Sequence, residues 1–139
     1  MTDSADRPCF ALPPYARALG ITLANHEDGV PVLHMELTDH TTGRPGYLHG
    51  GAMGGMLEMA AIGALQAELT KRGLDLRPKP VNISIEYLRG GTNLPTFAKG
   101  QVVRAGRRVA NVRAEVWQAD RALPIASCWI NFLLAAPKP

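Results

Sequence analysis

Between His49 and Leu65 the chain carries a single charge, Glu58, and every other position is Gly, Ala, Met, Leu or Ile. Gly73 ends the segment, and Lys71 and Arg72 put cations in its last turn, so the pattern predicts one long helix over about Gly51 to Arg72. A helix without a polar face cannot lie on a surface, so protein is expected to wrap it on all sides. A membrane span is the competing account, but Glu58 interrupts the apolar run from Ala52 to Leu65, which is shorter than the ~20 residues a bilayer requires.

Strands are the natural wrapping. Pro13 to Gly20 reads as a short helix, with proline in its first turn and glycine at its end. Ile21 and Leu23 open a strand, His26-Glu27-Asp28-Gly29 makes a turn, and Val32 to Thr38 sets Leu33, Met35 and Leu37 on one face. Residues 39–48 form a loop rich in Gly, Pro and Thr. After Pro80, four segments alternate: Val81 to Tyr87, Thr96 to Arg104, Val109 to Gln118 and Pro124 to Leu134. Their short connections predict antiparallel neighbours. The expectation is an α+β fold, one antiparallel sheet curved around one helix. It is a single domain over 1–139 with its core at about 20–134, a polar tail over 1–12 and a loose tail over 135–139.

At 139 residues, 46% hydrophobic and 19% charged, the composition fits one globular domain that needs no metal or disulfide to fold. Cys9 and Cys128 lie near opposite ends without a C-x-x-C spacing, and the N-terminal residues are polar, which points to a reducing, cytoplasmic setting. The net charge of +3 is uneven: residues 1–70 hold three basic and eight acidic residues, residues 71–139 twelve and four. The arginines of the second half alternate with apolar strand residues and form no basic run, which suits a small phosphorylated ligand better than nucleic acid.

Glu58 is the residue that structure alone does not explain. On a helical wheel it aligns with Gly51, Gly54, Gly55, Ile62 and Leu65, a stripe with no cation. A carboxylate in dry surroundings is a candidate general base or nucleophile, unless another element supplies an arginine or backbone donors to it. His49-Gly50-Gly51 stands at the start of the same helix, where free N–H groups and the dipole favour an oxyanion and glycine admits a ligand. Gly54 and Gly55 are expected to serve close packing. Other chemistries find no support. Ser4, Ser84 and Ser127 lie in no G-x-S-x-G elbow, and the four histidines lack zinc spacing. The glycine cluster follows a loop and not a strand, as a dinucleotide fingerprint would require, and Cys128 reads as a small core residue.

In combination and order, Gly46-x-x-His49-Gly50-Gly51 with an acid seven residues beyond Gly51, then Ser84-Ile85-Glu86-Tyr87-Leu88-Arg89, then Val103-Arg104-Ala105-Gly106-Arg107-Arg108, resembles the hotdog-fold acyl-CoA thioesterases of the phenylacetate-degradation type. The resemblance covers about residues 20–134. It implies a long helix wrapped by five or six antiparallel strands, paired into a homodimer and usually a homotetramer. It further implies hydrolysis of an acyl-CoA thioester to free acid and CoA, with no cofactor besides the coenzyme A of the substrate and no nucleic-acid or membrane partner. The Gly50 N–H would hold the oxyanion, beside Gly51, and His49 would orient the loop or the substrate carbonyl. Glu58 would reach the site from the neighbouring protomer as general base or nucleophile. Arg89, Arg104, Arg107 and Arg108 would lie toward the CoA phosphates, and Met53, Met56, Leu57 and Met59 would line the acyl pocket. Many relatives carry Asn where this chain has Gly43, and Ser or Thr where it has Pro80, leaving Thr41, Thr42 or Asn82 as replacements. That departure keeps open an alternative, a hotdog protein that binds or senses acyl-CoA without turnover.

Overall fold

In a computed structural model, residues 11–137 are described. Cys9 and most of the predicted N-terminal tail fall outside them. The elements run α1 (Pro14–Ala18), β1 (Thr22–Glu27), β2 (Val30–Met35), α2 (Gly50–Lys71), β3 (Arg77–Tyr87), β4 (Thr96–Ala105), β5 (Val109–Trp117) and β6 (Ala126–Ala135). The strands form one antiparallel sheet in the order β1-β2-β4-β5-β6-β3, with α2 on its concave face.

Alternation along the strands makes the core. Leu33 and Met35 of β2, Ala98 of β4, Val112 and Val116 of β5, and Ile130 and Phe132 of β6 meet Met56, Leu57, Ala60 and Leu65 of α2. Helix and sheet approach closely at Gly100, where a Cβ would stand 2.5 Å from the carbonyl oxygen of Ala60 and 2.9 Å from the Ala61 Cα.

The structure departs from the sequence expectations at four places. β3 begins at Arg77, four residues before Val81, and contains Pro78 and Pro80. As an edge strand it tolerates them, because one row of its backbone groups has no ladder to make. β3 also pairs with β6 and not with β4. The Gly90-Gly91 segment is therefore no hairpin: it carries the chain across the end of the sheet, fastened by Leu88 and Arg89 N–H groups to the Ile125 carbonyl. β2 stops at Met35, and the Thr41 hydroxyl then donates to the Glu36 carbonyl at 2.8 Å and accepts from the Thr38 N–H at 2.8 Å. Ala135, assigned to the loose tail, pairs with Arg77 in the sheet.

The cover over α2 is also incomplete. Gly54, Gly55, Glu58 and Ile62 stay half-buried and Gly51 is exposed. Beside this stripe runs the inner face of the β3 edge, with Val81 67%, Ile83 39% and Tyr87 54% exposed. In one chain the helix has an open side, contrary to the expectation of a wrap all round.

At the opposite edge, Glu27 at the end of β1 accepts two hydrogen bonds of 2.8 Å from Arg121 and lies 3.2 Å from Lys99 Nζ. Hydrogen bonding to Arg121, then to Lys99, holds its carboxyl down at about 2. A carboxylate depressed in the folded state stabilises it above the unfolded value, and that contribution is lost as pH falls toward the folded one. Melting temperature should therefore fall between about pH 4.5 and pH 2 with a part assignable to Glu27, and Glu27→Gln should flatten that part of the profile. An unchanged acid limb in the variant would show the clamp to be energetically silent.

Candidate functional site

The loop before α2 is pinned before the helix begins. The Leu48 N–H donates to the Gly91 carbonyl at 2.9 Å, the Gly43 N–H to the Tyr47 carbonyl at 2.9 Å, and the His49 N–H to the buried Thr41 at 2.7 Å. Gly46 turns the chain at φ 83°, a conformation glycine adopts without strain.

Four backbone donors at a helix start have no partner within the helix. The His49 carbonyl takes those of Ala52 and Met53, at 3.0 and 3.1 Å. The Gly51 N–H donates to His49 Nδ1 at 2.8 Å, so His49 is the N-cap by its own side chain. The Gly50 N–H has no acceptor among the described residues. An accepting Nδ1 requires the proton of the neutral imidazole to sit on Nε2. Gly51 is thus a packing residue whose missing Cβ makes room for the His49 ring, 3.0 Å away, and its N–H is already in use. Gly54 and Gly55 likewise admit neighbours, Ile85 at 3.1 Å and Tyr15 at 2.9 Å from where a Cβ would be.

Tyr87, the last residue of β3, lies over this end of α2 and donates its hydroxyl to the Gly50 carbonyl at 3.2 Å. The sequence holds a usable signal for it, since Tyr87 shares the parity of Ile83 and Ile85, and Ile85 faces the helix.

Glu58 sits on the open stripe, half-buried, with no ion pair or hydrogen bond to another described residue. Among the described residues no structural cation comes to it. Across from it lies Cys128, whose thiol is pushed up to about 11, chiefly by burial, with the Glu58 charge adding to the shift. That thiol is a core group, as its place in the strand suggested. Glu58 follows Gly50 by eight residues, about 12 Å along the helix axis.

The remaining candidates separate. Arg89 stays at the Gly50 end, with Nη1 donating to the Pro124 carbonyl at 2.6 Å. Arg104, Arg107 and Arg108 surround a cleft of about 360 Å³ at the β4–β5 turn. Arg72 joins that turn to the other end of α2 by donating to the Ala105 carbonyl at 3.0 Å. One chain therefore does not gather the four arginines. Asn82 lies on the outer face of β3, opposite in parity to Ile83 and Ile85, where its Oδ1 accepts from Asn131 at 2.8 Å, and Asn131 accepts from Asn111 at 2.6 Å. Met53, Met56, Leu57 and Met59 are at most 5% exposed and belong to the core, so they do not line an open pocket. A larger cleft of about 750 Å³, lined by Val30, Lys71, Gly100 and Arg113 among others, lies under the β1–β2 turn and touches none of the candidates. Gly50, Gly51 and Glu58 lie along the partly exposed stripe of α2 beside the β3 edge, which a single chain leaves uncovered.

The sequence profile of the thioesterase superfamily matches residues 45–125, more than half of the chain and all of the segment from His49 to Arg108. The protein belongs to the thioesterase superfamily. Similar members include the medium/long-chain acyl-CoA thioesterase YigI of Salmonella typhimurium, 28% identical over 133 residues, with 87% of this chain and 85% of that protein covered. A crystal structure from Chromobacterium violaceum is 33% identical, with 90% of this chain and 85% of that one covered and a TM-score of 0.68. A phenylacetic acid degradation-related protein of Ralstonia eutropha, 20% identical, covers 89% of this chain and 92% of its own at a TM-score of 0.71, a likeness of fold. The six-stranded antiparallel sheet around one long helix is the hotdog thioesterase fold of this superfamily.

The cap has a measurable consequence. His49→Ala removes the acceptor of the Gly51 N–H and should cost roughly 1 kcal/mol in urea unfolding, whereas His49→Asn, which keeps a capping acceptor, should recover most of it. Equal stability of all three forms would show that the cap carries no energy.

Proposed function

We propose that this protein hydrolyses an acyl-CoA thioester to the free acid and coenzyme A, as an enzyme of the phenylacetate-degradation type. The observation that carries the proposal is the one N–H at the head of α2 without an acceptor among the described residues, that of Gly50, at a half-buried glycine where the helix dipole is positive. A thioester carbonyl placed there has its developing negative charge met by a fixed donor. The Glu58 carboxylate, unpaired among the described residues, either takes a proton from water as the water oxygen adds to the carbonyl carbon or attacks that carbon itself. Collapse of the oxyanion breaks the C–S bond. On the base route the proton held by Glu58 passes to the leaving sulfur; on the nucleophile route the thiolate takes a proton from water and a second water hydrolyses the mixed anhydride, releasing the acid and restoring the Glu58 carboxylate.

About 12 Å along one helix is too far for Gly50 and Glu58 to act on one carbonyl. The acid at each site is therefore assigned to a second copy. The open stripe of α2 and the exposed β3 edge support such pairing, since an uncovered apolar edge strand invites a partner. An antiparallel arrangement that sets one copy's Glu58 against the other's Gly50 also carries the distant end of the second α2 past the first helix start. Arg104, Arg107 and Arg108 of that copy would then join Arg89 toward the CoA phosphates. Light scattering at micromolar protein should return a dimer or tetramer, and a monomer would remove the second acid and with it this site.

Acyl-CoA binding without turnover is the second reading, favoured by Gly43. It stands where many relatives carry Asn, and a Cβ there would meet the His49 Cα at 3.1 Å. Thiol release across aromatic, medium-chain and long-chain acyl-CoAs separates the two, the chain lengths following the name of the Salmonella relative.

Glu58→Gln tests the chemistry. It keeps shape and removes the reacting charge, so kcat should drop at least ~100-fold while substrate still binds. Stability should hold or rise, because an unpaired half-buried carboxylate costs more than its amide. Full activity with a lower melting temperature would make Glu58 structural.

A further inference from the structure

The peptide plane between Gly50 and Gly51 is held from both sides by side chains of different elements. Its carbonyl accepts from the Tyr87 hydroxyl on β3 at 3.2 Å, and its N–H donates to His49 Nδ1 at 2.8 Å. Two successive glycines would otherwise leave this plane the freest in the helix, since neither flanking residue has a Cβ to limit its rotation. It is also the plane next to the unclaimed Gly50 N–H.

Packing adds to the hold. A Cβ at Gly50 would lie 3.4 Å from Tyr87 Cε1, and one at Gly54 would lie 3.7 Å from the Tyr87 hydroxyl and 3.1 Å from Ile85 Cδ1. The ring of Tyr87 thus rests on Gly50 and Gly54, which explains small residues at both positions. Tyr87 fixes the end of the sheet to the start of the helix through one hydrogen bond and one flat contact.

We infer that Tyr87 is a positioning residue for the oxyanion donor: with His49 it clamps the Gly50–Gly51 peptide and thereby sets the direction of the Gly50 N–H. The inference rests on the thioesterase proposal for its catalytic consequence and on the two hydrogen bonds for its structural one. A donor fixed in advance stabilises developing charge without reorganising, so loosening it should affect the transition state more than substrate binding.

The test uses the full chain with Tyr87→Phe, which keeps the ring contact and removes only the hydroxyl. Tyr87→Leu removes both. Tyr15→Phe, at a tyrosine that packs on Gly55 and makes no hydrogen bond to the Gly50–Gly51 peptide, is the control. With octanoyl-CoA, Tyr87→Phe should lower kcat about tenfold, the equivalent of about 1.4 kcal/mol, with KM within twofold and melting temperature within a few degrees of the parent. Tyr87→Leu should lower kcat further, and Tyr15→Phe should change nothing. Independently of turnover, the Gly50 amide in a ¹H–¹⁵N correlation spectrum of Tyr87→Phe should shift and exchange faster with solvent.

A raised KM at constant kcat would make Tyr87 a wall of the binding groove and overturn the inference. So would an unmoved Gly50 amide. A parent protein that releases no thiol from any acyl-CoA would overturn the thioesterase proposal instead, and the amide would still decide the clamp.

Discussion

An apolar helix needs cover on every side, and a six-stranded sheet of the same chain covers α2 on only part of its circumference. Residues such as Met56, Leu57, Ala60 and Leu65 go into the core, while Gly51, Gly54, Glu58 and Ile62 are left along a partly exposed stripe. The small residues of α2 and Gly100 on β4 let helix and sheet come within backbone contact around Ala60 and Ala61. The candidate residues Gly50, Gly51 and Glu58 lie instead on the margin of the helix that faces the β3 edge.

At that margin the hydrogen-bond count at one helix start organises the chemistry. Of the donors that every helix leaves over, the His49 carbonyl and imidazole take those of Gly51, Ala52 and Met53, and the Gly50 N–H is left. A residue at the N-cap that accepts through its side chain thus selects which amide remains available. Tyr87 reaches the same turn from the sheet, so the accuracy of the donor depends on the β3–α2 contact as well as on the helix itself.

The two ends of α2 carry different work. Arg89 accompanies the Gly50 end, while Arg104, Arg107 and Arg108 form a separate basic cleft at the far turn, tied there by Arg72. The four candidate arginines of the second half of the sequence therefore fall at opposite ends of one helix, about 33 Å long over its 22 residues.

The long helix, the alternating strands that wrap it, the isolated Glu58 and the His49-Gly50-Gly51 start were legible in the sequence, because periodicity and cap chemistry are local properties of neighbouring residues. The order of the strands was not. Whether β3 pairs with β4 or with β6 depends on where Gly90-Gly91 leads the chain, and that is decided by contacts with Leu48 and Ile125 from distant segments. Facing was also beyond local pattern where the strand is irregular: the bulge between Pro80 and Asn82 changes the parity of β3, so that Pro80, opposite the inward Phe132, does not follow the alternation of Asn82 to Tyr87. The four residues Met53, Met56, Leu57 and Met59 are apolar by sequence, but which apolar residues line a groove and which fill a core follows from the side on which the sheet stops. From the residues alone it followed that an apolar helix must be wrapped and that its one acid has no cation on its own stripe. Only the tertiary structure decided which side stays open and which single N–H is left free, since both follow from contacts between segments far apart in the chain.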